Sequence, residues 1–422
     1  MKAMSDNTQD HQGGDQPTST PSPALQKILD LEKIPSDYRA GYKKALALDP
    51  GMASNYVAHA WVGDPLGDEL IKQLNTLPRK EMNRLIKLAI DDPEHKGLRD
   101  APQPLLDLVE EWASPPDWVD QSGFRASNRM FHRESRTVLL AFVCGVLIEG
   151  FTTNIAKSFV ITGRVRDSGV RRLMQNNRHM VEMYLPGGLE RYGDGWKLSA
   201  RIRLAHAQVR HLLENSPDWD TPAWGVPISA AHTGFAITAF SARLLKHMKR
   251  LGAAYNNAEA KSFMDVWRYS GHLMGIPDTI LFRDEKEALK LYDVGLMCEP
   301  DTPDESIMMA NALVQSAPLI AGATDPETRR DLAKTVFSVS RSLLGKRLSD
   351  DLMFPNHRRY GILFWYRVQA RYNRTMNRFL PRLAMVSDLD RFSGMLSVSV
   401  YDKEGISYRL PDHVYSEESS EW

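Results

Sequence analysis

One segment of the sequence combines residue types that could hold an iron cofactor. Residues 197–214 read KLSARIRLAHAQVRHLLE, and their apolar residues recur at three- and four-residue spacing, which predicts a helix with one buried face. His206 lies beside that face, with Arg203 and Arg210 one turn away on either side. A neutral imidazole is a good iron ligand, and guanidinium groups would suit haem propionates. From the helix pattern alone, a structural core histidine with solvated arginines is the simpler interpretation.

Several common site classes have no motif in this sequence. There is no GxGxxG or GxxxxGK[ST] loop, no HExxH, no CxxC or CxxCH, and no GxSxG elbow. No Glu-x-x-His pair of the di-iron type occurs either. Nucleotide-binding, zinc, covalent haem and serine-hydrolase functions therefore lack sequence support.

The composition of the chain limits which binding partners and which cellular compartment we expect. The chain has 422 residues, and Lys+Arg and Asp+Glu both total 53, so net charge gives no reason to expect nucleic acid as a partner. The two cysteines, Cys144 and Cys298, suggest no disulfide framework. With no secretory signal in the first residues, we expect a cytoplasmic protein, and peripheral membrane association stays open. The apolar run Val138–Ile148 is too short for a transmembrane span and predicts a core helix.

The elements that would position these residues are almost all helical. Residues 1–24 are polar and rich in Pro, Gly and Ser, which predicts a disordered tail, and 25–422 read as one large domain. We expect an all-α fold: a large single-domain helical bundle with a globin-like helical core and extra helices. Residues 102–120 suggest an arm on its surface, and 395–410 alternate in a way that allows a small C-terminal β-hairpin.

Several blocks of the sequence resemble one known family. They are RIRLAHAQVRHLL around His206, LPGGLERYGDG before it and SPDWDTPAWGVPIS after it, together with WVGDPLGD, TGRVRDSGVRRLMQNN and WRYSGHLMGIPD. Taken in their order along the chain, they resemble the family of latex-clearing proteins (rubber oxygenases) and the mycophenolic-acid-pathway oxygenase. The resemblance spreads over most of the chain after the tail.

The resemblance implies a cofactor and roles for four residues. His206 would be the proximal ligand of a non-covalent haem b, and Arg203 and Arg210 match the arginines on either side of that ligand. Arg172 matches an arginine that the family places near the distal side, where a fixed cation could stabilise charge that develops on dioxygen. A surface arginine is the alternative interpretation of Arg172. The implied function is a haem-dependent oxygenase that acts on an apolar, isoprenoid-like small molecule with dioxygen.

Other positions depart from the family pattern. Where latex-clearing proteins have a lysine and a threonine, this chain has Gln175 and Asn176, and an amide cannot act as the amine ligand of the sixth position. The family's distal glutamate aligns best with Asn154, with Glu149 as a near neighbour. An amide cannot accept a proton near neutral pH as a carboxylate can. These departures bring the rubber-cleaving mechanism into question.

Alternatives therefore remain for the ligand and for the function. His232 and His272 are rival iron ligands, although histidines in apolar helices are usually structural. The alternative functions are a non-catalytic haem-binding protein (a sensor, a carrier or a peroxidase-like scavenger) and a helical protein that serves only for interaction. The substrate and the oligomeric state do not follow from the sequence.

Overall fold

The computed structural model describes residues 34–162, 168–357 and 361–379, with only the backbone of residues 168–173, 320 and 377. The predicted tail and the predicted hairpin at 395–410 lie outside the described residues. In the part of the chain that the structure describes, regular structure is helical throughout, which confirms the all-α prediction.

The first half of the described chain builds a layer of short helices and then the start of the core. Short 3₁₀ turns at Ser36–Tyr38, Lys96–Leu98 and Gln121–Phe124 connect some of them. The α-helices up to residue 183 are α1 (Arg39–Ala45), α2 (Pro50–His59), α3 (Pro65–Leu74), α4 (Arg79–Asp91), α5 (Gln103–Ala113), α6 (Arg125–Arg133), α7 (Ser135–Ala141), α8 (Leu147–Gly150), α9 (Ile155–Ile161) and α10 (Ser168–Met183).

The second half adds the longest helices. Two π-helical segments, Phe142–Val146 between α7 and α8 and Ala239–Arg243 between α13 and α14, interrupt otherwise continuous helices. The remaining α-helices are α11 (Asp194–Glu214), α12 (Thr221–Trp224), α13 (Ala230–Thr238), α14 (Leu244–Leu251), α15 (Asn257–Leu273), α16 (Glu285–Cys298), α17 (Asp304–Ile320), α18 (Pro326–Leu344), α19 (Lys346–Asp351) and α20 (Ile362–Phe379).

Helix starts follow from local side-chain chemistry. Ser229 caps α13 by accepting a hydrogen bond from the backbone of His232, and Asp284 caps α16 in the same way. Asn256 and Glu259 form a reciprocal capping box at the start of α15. These caps satisfy backbone N–H groups that a helix cannot pair internally, so they determine where the core helices begin.

Helices α10 and α11 form the antiparallel pair that matters most for the site. A Cβ atom at Gly195 would lie 2.7 Å from the backbone nitrogen of Met183, so glycine permits the end of α10 to approach the start of α11 closely. α11 also packs against α3 and α15, while α10 and α9 pack against α17. The pair is therefore held on both sides by other core helices.

Part of the predicted surface arm and the apolar run Val138–Ile148 both contribute helix to the core. Residues 103–113 form α5, whose Trp112 is buried against Trp196, so this part of the predicted surface arm belongs to the core. The run Val138–Ile148 lies in buried helix, as predicted.

Among the described helices, no single one is long and apolar enough to span a membrane. Only the pair Ser135–Gly150 and Ile155–Ile161 reaches that length and composition together, and it is bent by 88°.

Candidate functional site

An apolar cavity lies between α9, α10, α11, α13 and α15. It holds about 190 Å³ of space that the centre of a water molecule can occupy, and it is partly open to solvent. Of the described residues none that lines it carries a formal carboxylate, ammonium or guanidinium charge. The lining residues are Phe142, Leu147, Gly150, Phe151, Ile155, Phe159, Gln175, Asn176, His179, Ile202, Ala205, His206, Val209, Ile228, Thr233, Ala236, Ile237, Phe240, Trp267, Met274 and Ile276.

His206 reaches the cavity from the middle of α11. Ile202, Ala205 and Val209 line the cavity on the same helix, so the imidazole stands within an apolar stripe. α11 runs without proline from Asp194 to Glu214, which holds this stripe on a straight element. The structure thus places the predicted iron ligand on a cavity wall.

Gln175 and Asn176 line the same cavity from α10. They face His206 because α10 runs antiparallel beside α11, and Gly195 allows the close approach. The backbone of Arg172 belongs to α10, one turn before Gln175, but its side chain lies outside the described residues. Two of the three residues predicted on this helix are therefore brought to the cavity.

A second histidine, His179, also lines the cavity, and sequence reasoning missed it. Its Nε2 lies 2.9 Å from Ser199 Oγ, and that hydroxyl donates to Gly195 O at 2.9 Å. The hydroxyl then accepts from the imidazole, which places the proton on Nε2 of His179. Burial, and to a smaller extent the nearby His206, lowers the pKa of His179 to about 3, so the ring is neutral near pH 7. A signal existed in the sequence: His179 follows Asn176 and Gln175 by three and four residues.

Three neighbouring aromatic rings form one wall of the cavity. The rings of Phe240 and Trp267 stack with centroids 5.6 Å apart, and Phe142 packs 5.8 Å from Phe240. Phe142 and Phe240 each belong to one of the π-helical segments. Because a π turn shifts the residues that follow it around the helix axis, both interruptions affect which side chains reach the cavity.

Arg203 is buried in an ion pair away from the cavity lining. Its guanidinium contacts Asp64 through Nε and Nη2 at 2.5 and 2.9 Å, and Glu111 through Nη1 at 2.6 Å. Burial would lower the pKa of Arg203, but Asp64 and Glu111 raise it above its ordinary value. Gly275, at φ +77°, leaves room for this pair, since a Cβ atom there would lie 2.4 Å from Asp64 Oδ2.

Arg210 makes a parallel set of contacts one turn after His206. Its Nε donates to Asp68 Oδ1 at 2.7 Å, and its Nη1 donates to the backbone carbonyl of Ile228 at 2.5 Å. The WVGDPLGD block therefore supplies the two aspartates that pair with the two arginines around His206. The structure brings Arg203 and Arg210 to α3 rather than to the cavity.

The carboxylate candidates for the distal side also lie behind the cavity wall. Glu149 is fully buried and pairs with Arg243 and with His247 Nε2 at 3.0 Å. Burial would raise the pKa of Glu149, but His247 and Arg243 lower it to about 2. Asn154 is buried, and its backbone nitrogen donates to Glu299 Oε2 at 2.9 Å. Neither Glu149 nor Asn154 lines the cavity.

The rival histidines have other surroundings. His232 has both ring nitrogens near hydroxyl groups, Tyr38 at 2.7 Å and Ser229 at 3.2 Å. His272 stacks on Tyr269 and meets the edge of Trp118. Neither ring lines the cavity, which separates both of them from His206.

The donor set of the cavity fits a haem better than a bare metal ion. Apolar and aromatic walls suit a flat macrocycle, and a neutral imidazole suits its iron. Within the residues that the structure describes, no group of three or more His, Cys, Asp or Glu side chains could hold a metal ion. A haem, which brings four equatorial nitrogens of its own, needs only one such ligand from the protein.

Fold and cavity together define a class: an all-α protein with a buried apolar cavity lined by histidine. The family model described as "ER-bound oxygenase mpaB/B'/Rubber oxygenase, catalytic domain" matches residues 129–375, more than half of the chain. The chain therefore belongs to this family. All the cavity-lining residues fall within the matched range.

Two relatives show how far the similarity reaches. A rubber oxygenase from Streptomyces sp. (strain K30) is 32% identical over 100 residues, which is 23% of each protein. The chain thus matches about a quarter of the length of this curated relative. The structure titled "Structure of Latex Clearing Protein LCP in the closed state" matches with a TM-score of 0.62 at 19% identity. It covers 84% of this chain and 95% of that one, and it supports the fold.

Proposed function

We propose that this protein binds haem b in the cavity and acts as an oxygenase on an apolar small molecule. One observation carries the proposal: of the three histidines that the sequence offers as ligands, His206 lines the apolar cavity, whereas His232 and His272 do not. His179, the other histidine in the lining, has its Nε2 engaged by Ser199 Oγ at 2.9 Å. Membership of an oxygenase family supports the reaction class.

His206 would ligate the iron from α11. When bound, haem b would supply the activation of dioxygen. The aromatic wall of Phe142, Phe240 and Trp267 would exclude water from the site. Gln175 and Asn176 would offer amide hydrogen-bond donors and acceptors in this apolar site.

We propose that Arg203 and Arg210 position the ligand. Propionates would have to compete with Asp64, Glu111 and Asp68 for the two guanidinium groups. The ion pairs instead anchor α11 to α3 and α5 on both sides of His206. In this proposal Arg172 remains the candidate cation near dioxygen, on the strength of the family pattern alone.

The substrate class follows from the walls of the cavity. Apolar side chains line most of it, so a molecule without charges would lose little solvation on entering. We propose an alkene, isoprenoid-like in its chemistry, to which oxygen from dioxygen is added at a carbon–carbon double bond.

Visible spectroscopy tests the ligand. The protein would be produced with a haem precursor, and spectra would be recorded oxidised, reduced and with carbon monoxide. We expect a Soret band in the wild type that His206→Ala loses and that added imidazole restores. His211→Ala is the matched control, because His211 is on α11 but does not line the cavity. An unchanged Soret band in His206→Ala would exclude His206 as the ligand.

A haem-binding protein without turnover is the second candidate. The observation that favours it is the position of Glu149, which is ion-paired behind the cavity wall, together with an amide at Asn154. Oxygen consumption by the reduced, haem-loaded protein with apolar alkenes separates the two candidates. Consumption that depends on the alkene and yields an oxygenated product supports the oxygenase. A haem-loaded protein that shows no consumption with any alkene supports the second candidate.

A further inference from the structure

Helix α20 has an exposed stripe of aromatic side chains. Trp365, Tyr372 and Phe379 are 67, 63 and 74% exposed, and they recur every seven residues. Because seven residues are close to two helical turns, the three rings lie in a row about 21 Å long. Phe364 and Val368 are exposed beside this row. Scattered exposed apolar residues are ordinary, but a continuous row indicates an interaction surface.

A row of arginines runs along the other edge of the exposed face, about 130° around the helix axis from the aromatic row, with Phe364 and Val368 between the two rows. Arg367, Arg371, Arg374 and Arg378 follow at spacings of four, three and four residues, which places them along one line of the helix. All four are exposed, and α20 contains no acidic residue. The whole chain has 53 basic and 53 acidic residues, so the rest of it carries four more acidic than basic residues and this helix is a local concentration of positive charge.

The opposite face of α20 is packed on the protein. The helix contacts α14 and α18, and Ile362, Leu363 and Tyr366 pack against the core. At Gly252, a Cβ atom would lie 2.9 Å from the Cα atom of Arg367, so the backbones of the two segments are close. The aromatic row therefore lies on the exposed side of a helix whose other side is packed against the protein.

We propose that α20 docks the protein on a membrane surface that contains anionic phospholipids. Aromatic rings insert at the boundary between headgroups and acyl chains, and the arginines along the other edge of the exposed face pair with phosphate groups. A second copy of the chain is a poor occupant, since two faces with the same arginines would repel. Docking through α20 does not depend on the proposed oxygenase activity.

Vesicle sedimentation with the full chain tests this proposal. We expect binding to phosphatidylcholine vesicles that contain phosphatidylglycerol, little binding to pure phosphatidylcholine, and weaker binding as salt rises above about 0.1 M. Arg371→Glu together with Arg378→Glu should weaken the partition coefficient at least about fivefold. Trp365→Ser, Tyr372→Ser and Phe379→Ser combined should weaken it at least about tenfold.

The controls are exposed residues on other helices. Lys346→Glu together with Arg347→Glu on α19 matches the charge change, and Met308→Ser on α17 removes one exposed apolar side chain. Both should bind vesicles like the wild type.

The proposal would be overturned if the wild type did not bind the anionic vesicles or if the triple variant still bound them. It would also be overturned if the triple variant had a lower melting temperature than the wild type or a different oligomeric state. A lower melting temperature would mean that the protein itself covers the row. Conversion of an oligomer to a monomer, seen by light scattering, would mean that a second copy covers it.

Discussion

Glu299 is a buried carboxyl group that no ammonium or guanidinium group of the described residues is shown to contact. It is fully buried at the end of α16, where it accepts hydrogen bonds from Tyr56 at 2.6 Å and from the backbone of Asn154 at 2.9 Å. His232 Nε2 lies 3.7 Å away, and Tyr38 bonds to the same histidine nitrogen. Burial raises the pKa of Glu299 to about 7, against 4.5 in a solvated chain, because these neutral donors do not replace the lost hydration.

This raised pKa predicts how stability changes with pH. Between pH 4.5 and about 7 the folded protein keeps the proton on Glu299 while the unfolded chain releases it. The stabilisation is complete below pH 4.5 and is lost as pH rises through about 7, on the order of 3 kcal/mol in total. Urea denaturation of the wild type and of Glu299→Gln over this range measures it as a difference.

The difference between the two proteins is needed because other buried groups act in the opposite direction. Burial lowers the pKa of His179 and of His232 to about 3, so their contributions increase from pH 3 to about 6.5. Those contributions are common to both proteins. If the difference in the free energy of unfolding between the wild type and Glu299→Gln stays constant from pH 4.5 to 7, the pKa of Glu299 is not raised.

At the scale of elements, α11 is held by buried charges on one side and by a close helix contact on the other. Arg203 bridges Asp64 at the start of α3 and Glu111 of α5, and Arg210 bridges Asp68 of α3. Gly195 lets α10 approach along the other side. Both devices determine where His206 stands.

Removal of Arg203 should destabilise the protein strongly. Arg203→Ala leaves the carboxylate of Asp64, itself buried, without its bidentate partner, and we expect a loss of about 3–5 kcal/mol in the free energy of unfolding. Chemical denaturation checks this value. Arg347→Ala is the control, since its side chain is 93% exposed, and it should change stability by less than about 0.5 kcal/mol. Equal effects of the two substitutions would contradict a buried clamp.

Gly195→Ala should destabilise the protein although alanine favours helix. The added Cβ atom meets the backbone of Met183 at 2.7 Å, and backbone cannot move aside as a flexible side chain would. We expect a loss of about 1–3 kcal/mol, measured by thermal denaturation. Gly51→Ala in α2 is the matched control: its Cβ atom would meet nothing closer than 3.5 Å, so it should be neutral or stabilise by up to about 1 kcal/mol. A stabilised Gly195→Ala would mean that α10 and α11 are not in close contact.

At the scale of the whole molecule, several core helices meet at the cavity, so a ligand bound there would contact the folded state and not the unfolded chain. A ligand that binds only the folded state stabilises it according to its concentration and affinity. We expect haem to raise the free energy of unfolding by about 3–4 kcal/mol at 100 to 1,000 times its dissociation constant. Removal of the haem should reverse the gain.

The melting temperature with and without haem checks this expectation. His206→Ala should lose most of the increase, whereas His211→Ala should keep it, because His211 does not line the cavity. An equal increase in both variants would mean that haem binds elsewhere on the protein.

Much of the fold and part of the site could be predicted from local sequence. Helix periods depend on residues three or four apart, so the helix around His206, expected over 197–214, was predicted within a few residues of its bounds. The same local reasoning placed His206 beside a buried face, and the family resemblance pointed to Gln175 and Asn176; all three line the cavity. The cofactor and the roles of these residues remain predictions.

Contacts between distant residues were decided by the tertiary structure. Asp64 and Arg203 are 139 residues apart, and no local pattern shows that their charges meet rather than face a cofactor. The π-helical segments that carry Phe142 and Phe240, and the approach of His179 to Ser199, depend on packing between helices. The sequence by itself thus determined the helices and a candidate ligand, because short-range hydrogen bonding and periodicity suffice for those. Which charges pair and which rings line the cavity required the packed molecule, because burial depends on every neighbour at once.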